Sequence, residues 1–274
     1  MSQKSTGTNA VRAKAQQMRQ EQERADKRMR AIIIGSVSAI VVAVIAVVAV
    51  VVSQQIKADA EINDVDPKVV LGAYADGSPI VLSPKGIGEA DPALPTLTDY
   101  FDYSCHVCAD AEVAFGKELV TDVTDGKYNI VFQPVNTVQA PYQYAATTAS
   151  LIVAKESPEH WTDLHHALMS YFAEQYKAGQ GSVVQDIDKS AKQVREIALS
   201  VGVPESLVST FPKNLAEEYL TASTTAWQKA SFEGRNPNSF GTPEFVANGE
   251  KKIELTSFEP NEVLQSMRTG LGVK

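Results

Sequence analysis

The chain has 274 residues, and 44% of them are hydrophobic, which is enough for one ordinary domain with additional elements. Residues 1–30 carry eight basic and three acidic side chains, a balance of +5 within a net charge of −8. Residues 31–274 therefore carry −13, and this acidic body excludes nucleic acid as a main partner because it would repel the phosphates.

The segment AIIIGSVSAIVVAVIAVVAVVV, residues 31–52, contains no charged side chain. As a helix it would be about 33 Å long, and the hydrocarbon core of a membrane is about 30 Å thick. We therefore predict one transmembrane helix over residues 31–53, held in membrane lipid. Basic residues precede it, so the positive-inside rule predicts a cytoplasmic basic tail at 1–30 and an extracytoplasmic location for everything after residue 53.

A cleaved signal peptide is the alternative interpretation of this segment, because Ala58-Asp59-Ala60 resembles a cleavage site. The apolar core of a signal peptide usually spans about 7 to 15 residues, so this run is too long. We expect a retained, single-pass anchor in the cell membrane, which would place the rest of the chain in a compartment where disulfides persist.

The region after the anchor begins with a polar, acidic stretch, residues 54–66, which we interpret as a linker. Two β-like runs on either side of Asp76-Gly77 predict a hairpin over residues 68–83. The stretch 85–95 is rich in Gly and Pro and predicts a loop.

The next three elements predict a β-α-β unit. Residues 96–104 have the pattern of a buried strand, residues 106–120 that of a helix weakened by Gly116, and residues 128–135 that of a second strand. Cys105 is therefore expected where a strand gives way to a helix.

The remainder of the chain predicts a long helical block followed by a return to β structure. Helical periodicity covers most of residues 142–232, and one apolar face combines Trp161, Leu164, Leu168 and Phe172. Residues 240–255 predict a hairpin around Asn248-Gly249, and a last helix is predicted from Pro260 to Met267. The order indicates one α/β domain over residues 67–274 with a helical insertion at about 140–235.

Cys105 and Cys108 are the only cysteines of the chain and lie in the stretch FDYSCHVCAD. A zinc site usually needs four ligands, and the chain has no second cysteine pair. A disulfide that closes so short a loop removes little chain entropy, so a structural clip would stabilise the fold only weakly. The histidines of the helical block, His160, His165 and His166, are better interpreted as packed or capping side chains, so we expect neither metal nor cofactor.

A redox site is the interpretation that the position of the pair favours. At a helix N-terminus Cys105 would meet free backbone N–H groups and the positive end of the helix dipole, and both favour the thiolate. Cys108 lies one turn later on the same face and could resolve a mixed disulfide. His106, if protonated, would add positive charge near the Cys105 sulfur.

Three segments of the chain resemble the DsbA-like disulfide oxidoreductases of the thioredoxin superfamily. DYFDYSCHVC is similar to the family's active-site segment, and HWTDLHHAL, residues 160–168, to its Trp-x-x-x-His-x-x-Leu helix. FGTPEFVANG, residues 240–249, is similar to the family's Gly-Thr-Pro-x-Phe…Asn-Gly segment. The resemblance covers about residues 67–270 and implies a thioredoxin-like α/β fold with a helical insertion, preceded here by the transmembrane helix.

The resemblance also implies roles for individual residues. Cys105 would be the nucleophile and Cys108 the resolving cysteine. Pro243 would be a cis-proline facing the cysteines, with Thr242 before it presenting backbone groups to an extended substrate. Asp99, six positions before the first cysteine, would lie beneath the site and assist proton transfer at Cys108.

Two positions depart from the strongly oxidising members of that group. The dipeptide between the cysteines is His106-Val107 rather than Pro-His, and Thr242 replaces the valine found before the cis-proline. Both positions are expected to tune the reduction potential. We expect an extracytoplasmic enzyme that forms disulfides in exported proteins and is reoxidised by a membrane quinone-linked partner. A reductase, an isomerase and a binding module with a structural disulfide are the alternatives.

Overall fold

A computed structural model describes residues 63–273 of the chain. The predicted tail at 1–30, the predicted transmembrane helix at 31–53 and most of the predicted linker at 54–66 lie outside the described residues. Within residues 63–273, no helix is both long and apolar enough to cross a membrane.

The described part of the chain is built on one sheet whose strands lie in the order β2-β1-β4-β3-β5-β6. Strands β3 and β4 are parallel, and every other neighbouring pair is antiparallel. The strands are β1 (Ile80–Ser83), β2 (Gly86–Ile87), β3 (Thr96–Phe101), β4 (Asn129–Pro134), β5 (Glu244–Ala247) and β6 (Lys251–Ile253).

Helices flank the sheet and form the predicted insertion between β4 and β5. They are α1 (Pro67–Leu71), α2 (His106–Ala111), α3 (Lys117–Thr124), α4 (Pro141–Glu156), α5 (Trp161–Lys177), α6 (Ile187–Ser200), α7 (Glu205–Val208), α8 (Ala216–Lys229) and α9 (Pro260–Leu271). Helix α4 is buried along most of its length. The predicted apolar face of α5 is buried, which confirms that its members pack into the core.

The predicted hairpin over residues 68–83 is wrong in its first half. Pro67–Leu71 is a helix, followed by a 3-10 turn, and only Ile80–Ser83 is a strand. The side chain of Asp66 accepts a hydrogen bond of 2.9 Å from the Lys68 backbone N–H, and Pro67 occupies the first helical position. This N-cap outweighs the β preference of the two valines that follow.

Strand β3 carries the chain to the cysteines and ends three residues earlier than predicted. Its burial alternates, so Leu97, Asp99 and Phe101 share the buried face. The strand stops because the Asp102 carboxylate accepts a 2.7 Å hydrogen bond from the Ser104 backbone N–H and thereby closes a turn. The backbone N–H of Cys105 bonds the carbonyl oxygen of Asp102 at 3.0 Å in the same turn.

The predicted helix over residues 106–120 forms, but one π-helical turn interrupts it at Glu112–Gly116. Single π turns inside α-helices occur frequently at functional sites. The predicted hairpin at Asn248-Gly249 is confirmed, with left-handed φ values of 52° and 70° at these residues. Its loop has three residues, because Ala247 pairs with Lys251.

Candidate active site

Cys105 lies at the N-cap of α2, and Cys108 lies one turn further along the same helix. Cys105 is 7% exposed and Cys108 is 3% exposed, so the first sulfur is nearer to the surface and the second lies beneath it. Both cysteines are free thiols in this structure. Cys105 is therefore the more accessible of the two sulfurs.

The segment before β5 lies directly over Cys105. The Thr242–Pro243 peptide bond is cis, and the Cys105 thiol donates to the carbonyl oxygen of Thr242 at 3.3 Å. Sheet pairing explains the meeting of two segments 137 positions apart, because Glu244 at the start of β5 pairs with Tyr100 near the end of β3.

Hydrogen bonding stabilises the thiolate of Cys105. A hydrogen bond from the Cys108 side chain makes the largest contribution, and burial opposes it. Further hydrogen bonds come from the Thr242 side chain and the Cys108 backbone. The result lowers the pKa of Cys105 from 9.0 to about 6, so at neutral pH the thiolate is the main form.

Cys108 and Asp99 lie below Cys105 and favour their protonated forms. Burial raises the pKa of Cys108 well above its ordinary value, and the hydrogen bond to Cys105 and the Cys105 charge raise it further. Burial also raises the pKa of Asp99 well above its ordinary value, with smaller contributions from Glu112 and Cys105. Asp99 and Cys108 line the same small cavity.

A buried hydrogen-bond network connects the turn that precedes Cys105 to the segment Thr242-Pro243, here called the proline loop. The Asp102 carboxylate accepts hydrogen bonds from the backbone N–H groups of Thr137 and Val138 and from the Thr137 hydroxyl, at 2.7 to 3.0 Å. The hydroxyl oxygen of Thr137 lies 3.0 Å from that of Thr242. Asp102 thus positions the loop after β4, which in turn positions the residue that contacts Cys105.

A family model described as Thioredoxin matches residues 85–264, well over half of the chain. The chain belongs to the thioredoxin family. The match contains both cysteines and the Thr242-Pro243 segment, so the resemblance drawn from the sequence is confirmed for family and fold. A comparison with curated proteins finds no match.

Solved structures of thiol–disulfide oxidoreductases share the fold of this thioredoxin-family chain. MdbA of Actinomyces oris is 20% identical, with a TM-score of 0.54 over 65% of this chain and 80% of that one. DsbG of Mycobacterium tuberculosis is 20% identical, with a TM-score of 0.53 over 76% and 93%. DsbA of Mycobacterium tuberculosis is 19% identical, with a TM-score of 0.51 over 72% and 93%.

The His106 ring packs against α5 in this thioredoxin-family site. Its ring stacks on Tyr176 of α5, with centroids 4.4 Å apart and planes 8° from parallel. The groups that lower the pKa of Cys105 are instead Cys108 and Thr242. The ring therefore forms part of the exposed rim around Cys105.

The histidines of the insertion occupy different environments. His165 is buried among aromatic rings, and its Nδ1 lies 2.9 Å from the Tyr103 hydroxyl, as expected for a packed side chain. His160 Nδ1 lies 2.9 Å from the hydroxyl oxygen of Ser157. No group of three or more potential metal ligands occurs in residues 63–273.

Sequence reasoning missed Glu112, whose side chain is 12% exposed and whose carboxylate lies between two histidines. His166 Nδ1 bonds it at 3.1 Å, and His165 Nε2 lies 3.6 Å away. A side chain at Gly116 would collide with this carboxylate, so the glycine provides the space that Glu112 occupies. The sequence does contain an acidic residue and a glycine four positions apart on a predicted helix. Neither residue type by itself predicts that the acid contacts histidines of another helix.

Proposed function

We propose that this protein is a membrane-tethered, extracytoplasmic thiol–disulfide oxidoreductase that forms disulfides in exported proteins through Cys105 and Cys108. The observation that carries the proposal is the Cys105 sulfur, 3.3 Å from the Thr242 carbonyl oxygen and with a pKa lowered to about 6. A stabilised thiolate stabilises the reduced protein relative to its disulfide, and this makes the disulfide form the stronger oxidant.

The reaction transfers two electrons from a substrate dithiol to the protein. A substrate thiolate attacks Cys105 of the Cys105–Cys108 disulfide, the bond between the two cysteines breaks, and Cys108 leaves as a thiolate. Asp99 protonates Cys108, because both groups line one cavity and both are stabilised in their neutral forms. A second substrate thiolate then attacks the substrate sulfur bound to Cys105, which forms the substrate disulfide and releases the Cys105 thiolate.

Substrate position follows from the proline loop. Thr242 and Pro243 lie over Cys105, and an extended peptide could pair with their backbone while its cysteine reaches the sulfur. A groove next to Cys105, lined in part by Ser104 and His106, also contains Val138 and Tyr176, which are both more than half exposed. Apolar side chains flanking the substrate cysteine would gain contacts there.

The anchor, the location and the reoxidising partner are parts of the same proposal. The apolar run at 31–52 and the basic residues before it support a membrane anchor with the cysteines outside the cytoplasm. Stoichiometry requires an electron acceptor after each cycle, and a membrane quinone-linked protein is the proposed one. A reductase or isomerase would use the same two cysteines, but the equilibrium between their disulfide and dithiol forms would differ.

The reduction potential separates these functions. Full-length protein in detergent is equilibrated with glutathione buffers, and its thiols are counted after acid quenching. The reduction potential of an oxidase should be about −120 mV, whereas that of a reductase should be about −270 mV. A disulfide that glutathione does not reduce would contradict the proposal and favour a structural clip.

Trapping of substrates tests the assigned nucleophile. Replacing Cys108 with Ala should leave exported proteins disulfide-bonded to Cys105, because the resolving thiol is missing. The matched variant Cys105→Ala should trap none, since Cys108 is buried. Equal trapping by both variants would show that the roles of the two cysteines are assigned wrongly.

A further inference from the structure

A chain of hydrogen bonds runs through the loop after β4 and ends next to the cysteines. Its members are the carboxylate of Asp102, the hydroxyl of Thr137 and the hydroxyl of Thr242. The Thr137 hydroxyl oxygen lies 3.0 Å from Oδ2 of Asp102 and 3.0 Å from the Thr242 hydroxyl oxygen. Each hydroxyl has a single proton to donate, so the direction of one bond decides what the next group has left to offer.

The Asp102 carboxylate fixes the direction of the first bond. It is fully buried, and it accepts from the backbone N–H groups of Ser104, Thr137 and Val138. Burial raises the pKa of Asp102, and these three bonds and the one from the Thr137 hydroxyl oppose the rise. Because two backbone N–H groups already point at Oδ2, this oxygen is an acceptor, and the Thr137 hydroxyl donates its proton to it.

The direction of the second bond follows from the first. The Thr137 proton is engaged with Asp102, so the bond between the two hydroxyls uses the proton of Thr242. Hydrogen bonds from the Cys108 side chain, the largest contribution, and from the Thr242 side chain also lower the pKa of Cys105 to about 6. One hydroxyl proton of Thr242 therefore has two competing acceptors, the Thr137 oxygen and the Cys105 sulfur.

We propose that Thr137, oriented by Asp102, is a positioning residue that competes with the Cys105 thiolate for the hydroxyl proton of Thr242. While Cys105 is in a disulfide or is a neutral thiol, Thr242 donates to Thr137. When the substrate disulfide forms and the electron pair remains on Cys105, the Thr242 hydroxyl rotates and donates to this sulfur. Each proton stays on its own oxygen, so the exchange reaction keeps its balance of protons and electrons. The competition stabilises the disulfide relative to the thiolate and limits the oxidising strength of the protein.

The other groups around the sulfur affect how the competition can be measured. Thr242 also forms a hydrogen bond with Cys108, but burial raises the pKa of that thiol, so it stays a neutral and weaker acceptor. The negative charge of Asp102 makes a smaller, direct contribution against the Cys105 thiolate. The titratable groups that face Cys105 are Cys108 of α2, Asp102 of the preceding turn and Asp99 of β3. An experiment must separate the charge of Asp102 from the competition for the proton.

Thr137→Val tests the proposal, which rests on Cys105 being the reacting sulfur of the proposed function. The variant keeps the β-branched shape and the backbone donors to Asp102, but it removes the competing acceptor. In full-length reduced protein, the midpoint of the iodoacetamide rate against pH should fall. The equilibrium with glutathione should move towards reduced protein by about two- to tenfold, the range expected for one net hydrogen bond.

A double variant separates the competition from the charge of Asp102. Thr242→Val removes the contested proton, so its midpoint should lie above that of the wild type. Thr137→Val added to Thr242→Val should then cause no further change, because no proton remains to compete for. An effect that acts through the charge of Asp102 would instead be equal in both backgrounds.

Three further variants serve as controls. Thr137→Ser keeps the hydroxyl and should restore the wild-type midpoint. Thr137→Ala also lacks the hydroxyl, so it should repeat the fall and is the test variant if Thr137→Val does not fold. Thr221→Val removes an exposed hydroxyl that bonds only the Glu217 carbonyl oxygen within α8, and it should leave the midpoint and the equilibrium unchanged.

The outcomes distinguish this inference from the proposed function. An unchanged or raised midpoint in Thr137→Val and Thr137→Ala would overturn the competition alone. An equal fall in the Thr242→Val background would do the same. A wild-type disulfide that glutathione does not reduce, or a wild-type Cys105 that iodoacetamide does not modify, would overturn the proposed function and the competition with it.

Discussion

The Cys105 sulfur lies 3.3 Å from the carbonyl oxygen of Thr242, the residue before the cis-proline. A thiol can donate to this carbonyl, whereas a thiolate cannot. The thiolate instead receives hydrogen bonds from the Cys108 side chain and the Thr242 side chain. The hydrogen bonds between Cys105 and Thr242 therefore change when the Cys105 sulfur is protonated. The reactivity of Cys105 thus depends on Thr242, although the two residues are far apart in the chain.

Alkylation of Cys105 should follow a titration near pH 6. Iodoacetamide reacts with the thiolate, so its rate with the reduced protein should rise through this pH, the lowered pKa of Cys105. Cys108→Ala should move the midpoint upward, because it removes the largest stabilising hydrogen bond. Cys108→Ser retains a donor and should lie below the alanine variant. Identical midpoints in all three proteins would contradict this origin of the lowered pKa.

The stability of the reduced protein should depend on pH through the same group. The pKa of Cys105 is about 6 in the folded protein and 9.0 in its ordinary state, so the unfolded chain binds more protons between these values. Stability therefore rises from about pH 6 to about pH 9 and is lost as pH falls through 6, by up to about 4 kcal/mol. Urea unfolding of the reduced and oxidised forms measures it, and a pH-independent difference between the two would refute it.

Thr242→Val should make the protein a weaker oxidant. The substitution removes a hydroxyl that stabilises the Cys105 thiolate, which is worth about 1 kcal/mol, or roughly a fivefold change in the equilibrium constant with glutathione. Thr225→Val is the control, because its exposed hydroxyl bonds only a backbone carbonyl within α8. An unchanged equilibrium in Thr242→Val would mean that the hydroxyl does not reach the thiolate.

Gly116→Ala should destabilise the fold by displacing the Glu112 carboxylate from its histidine partners. We expect a loss of about 1 to 3 kcal/mol, the cost of leaving a partly buried charged group without partners. The double variant Glu112→Ala/Gly116→Ala removes the collision, so the two changes should not add. Thermal unfolding of the two single variants and the double variant measures the coupling. If the two losses of stability simply add, the side chain at position 116 does not collide with Glu112.

Arg235 should be required for the loop that carries Thr242. Its guanidinium lies 3.3 Å from the buried Glu244 carboxylate and stacks among three aromatic rings. Arg235→Met leaves that carboxylate with the Trp227 N–H alone, so we expect a loss of about 3 to 5 kcal/mol. Lys251→Met, which breaks an exposed ion pair with Glu233, should cost less than about 1 kcal/mol. Equal losses in the two variants would contradict this role.

Much of the fold and the central pair of the site could be predicted from sequence because their signals are local. The buried face of α5, the strand-to-helix junction at Cys105 and the Asn-Gly hairpin depend on periodicity or turn chemistry over a few residues. The first half of the predicted hairpin at 68–83 is wrong because a second local signal competes there. The helix cap at Asp66 outweighs the β preference of the β-branched residues, and a prediction from periodicity alone does not include caps.

The sequence by itself determined that two cysteines stand at a helix start, without others to pair with, and that a Thr-Pro segment follows in family order. Only the tertiary structure placed Thr242 against Cys105, Asp99 beside Cys108, and Glu112 between two histidines. Sheet pairing brings Thr242 to Cys105 across 137 positions, and helix packing brings His166 to Glu112 across 54. Burial then shifts the pKa values of these groups. The burial of each group depends on all the side chains packed around it, which a local sequence pattern does not contain.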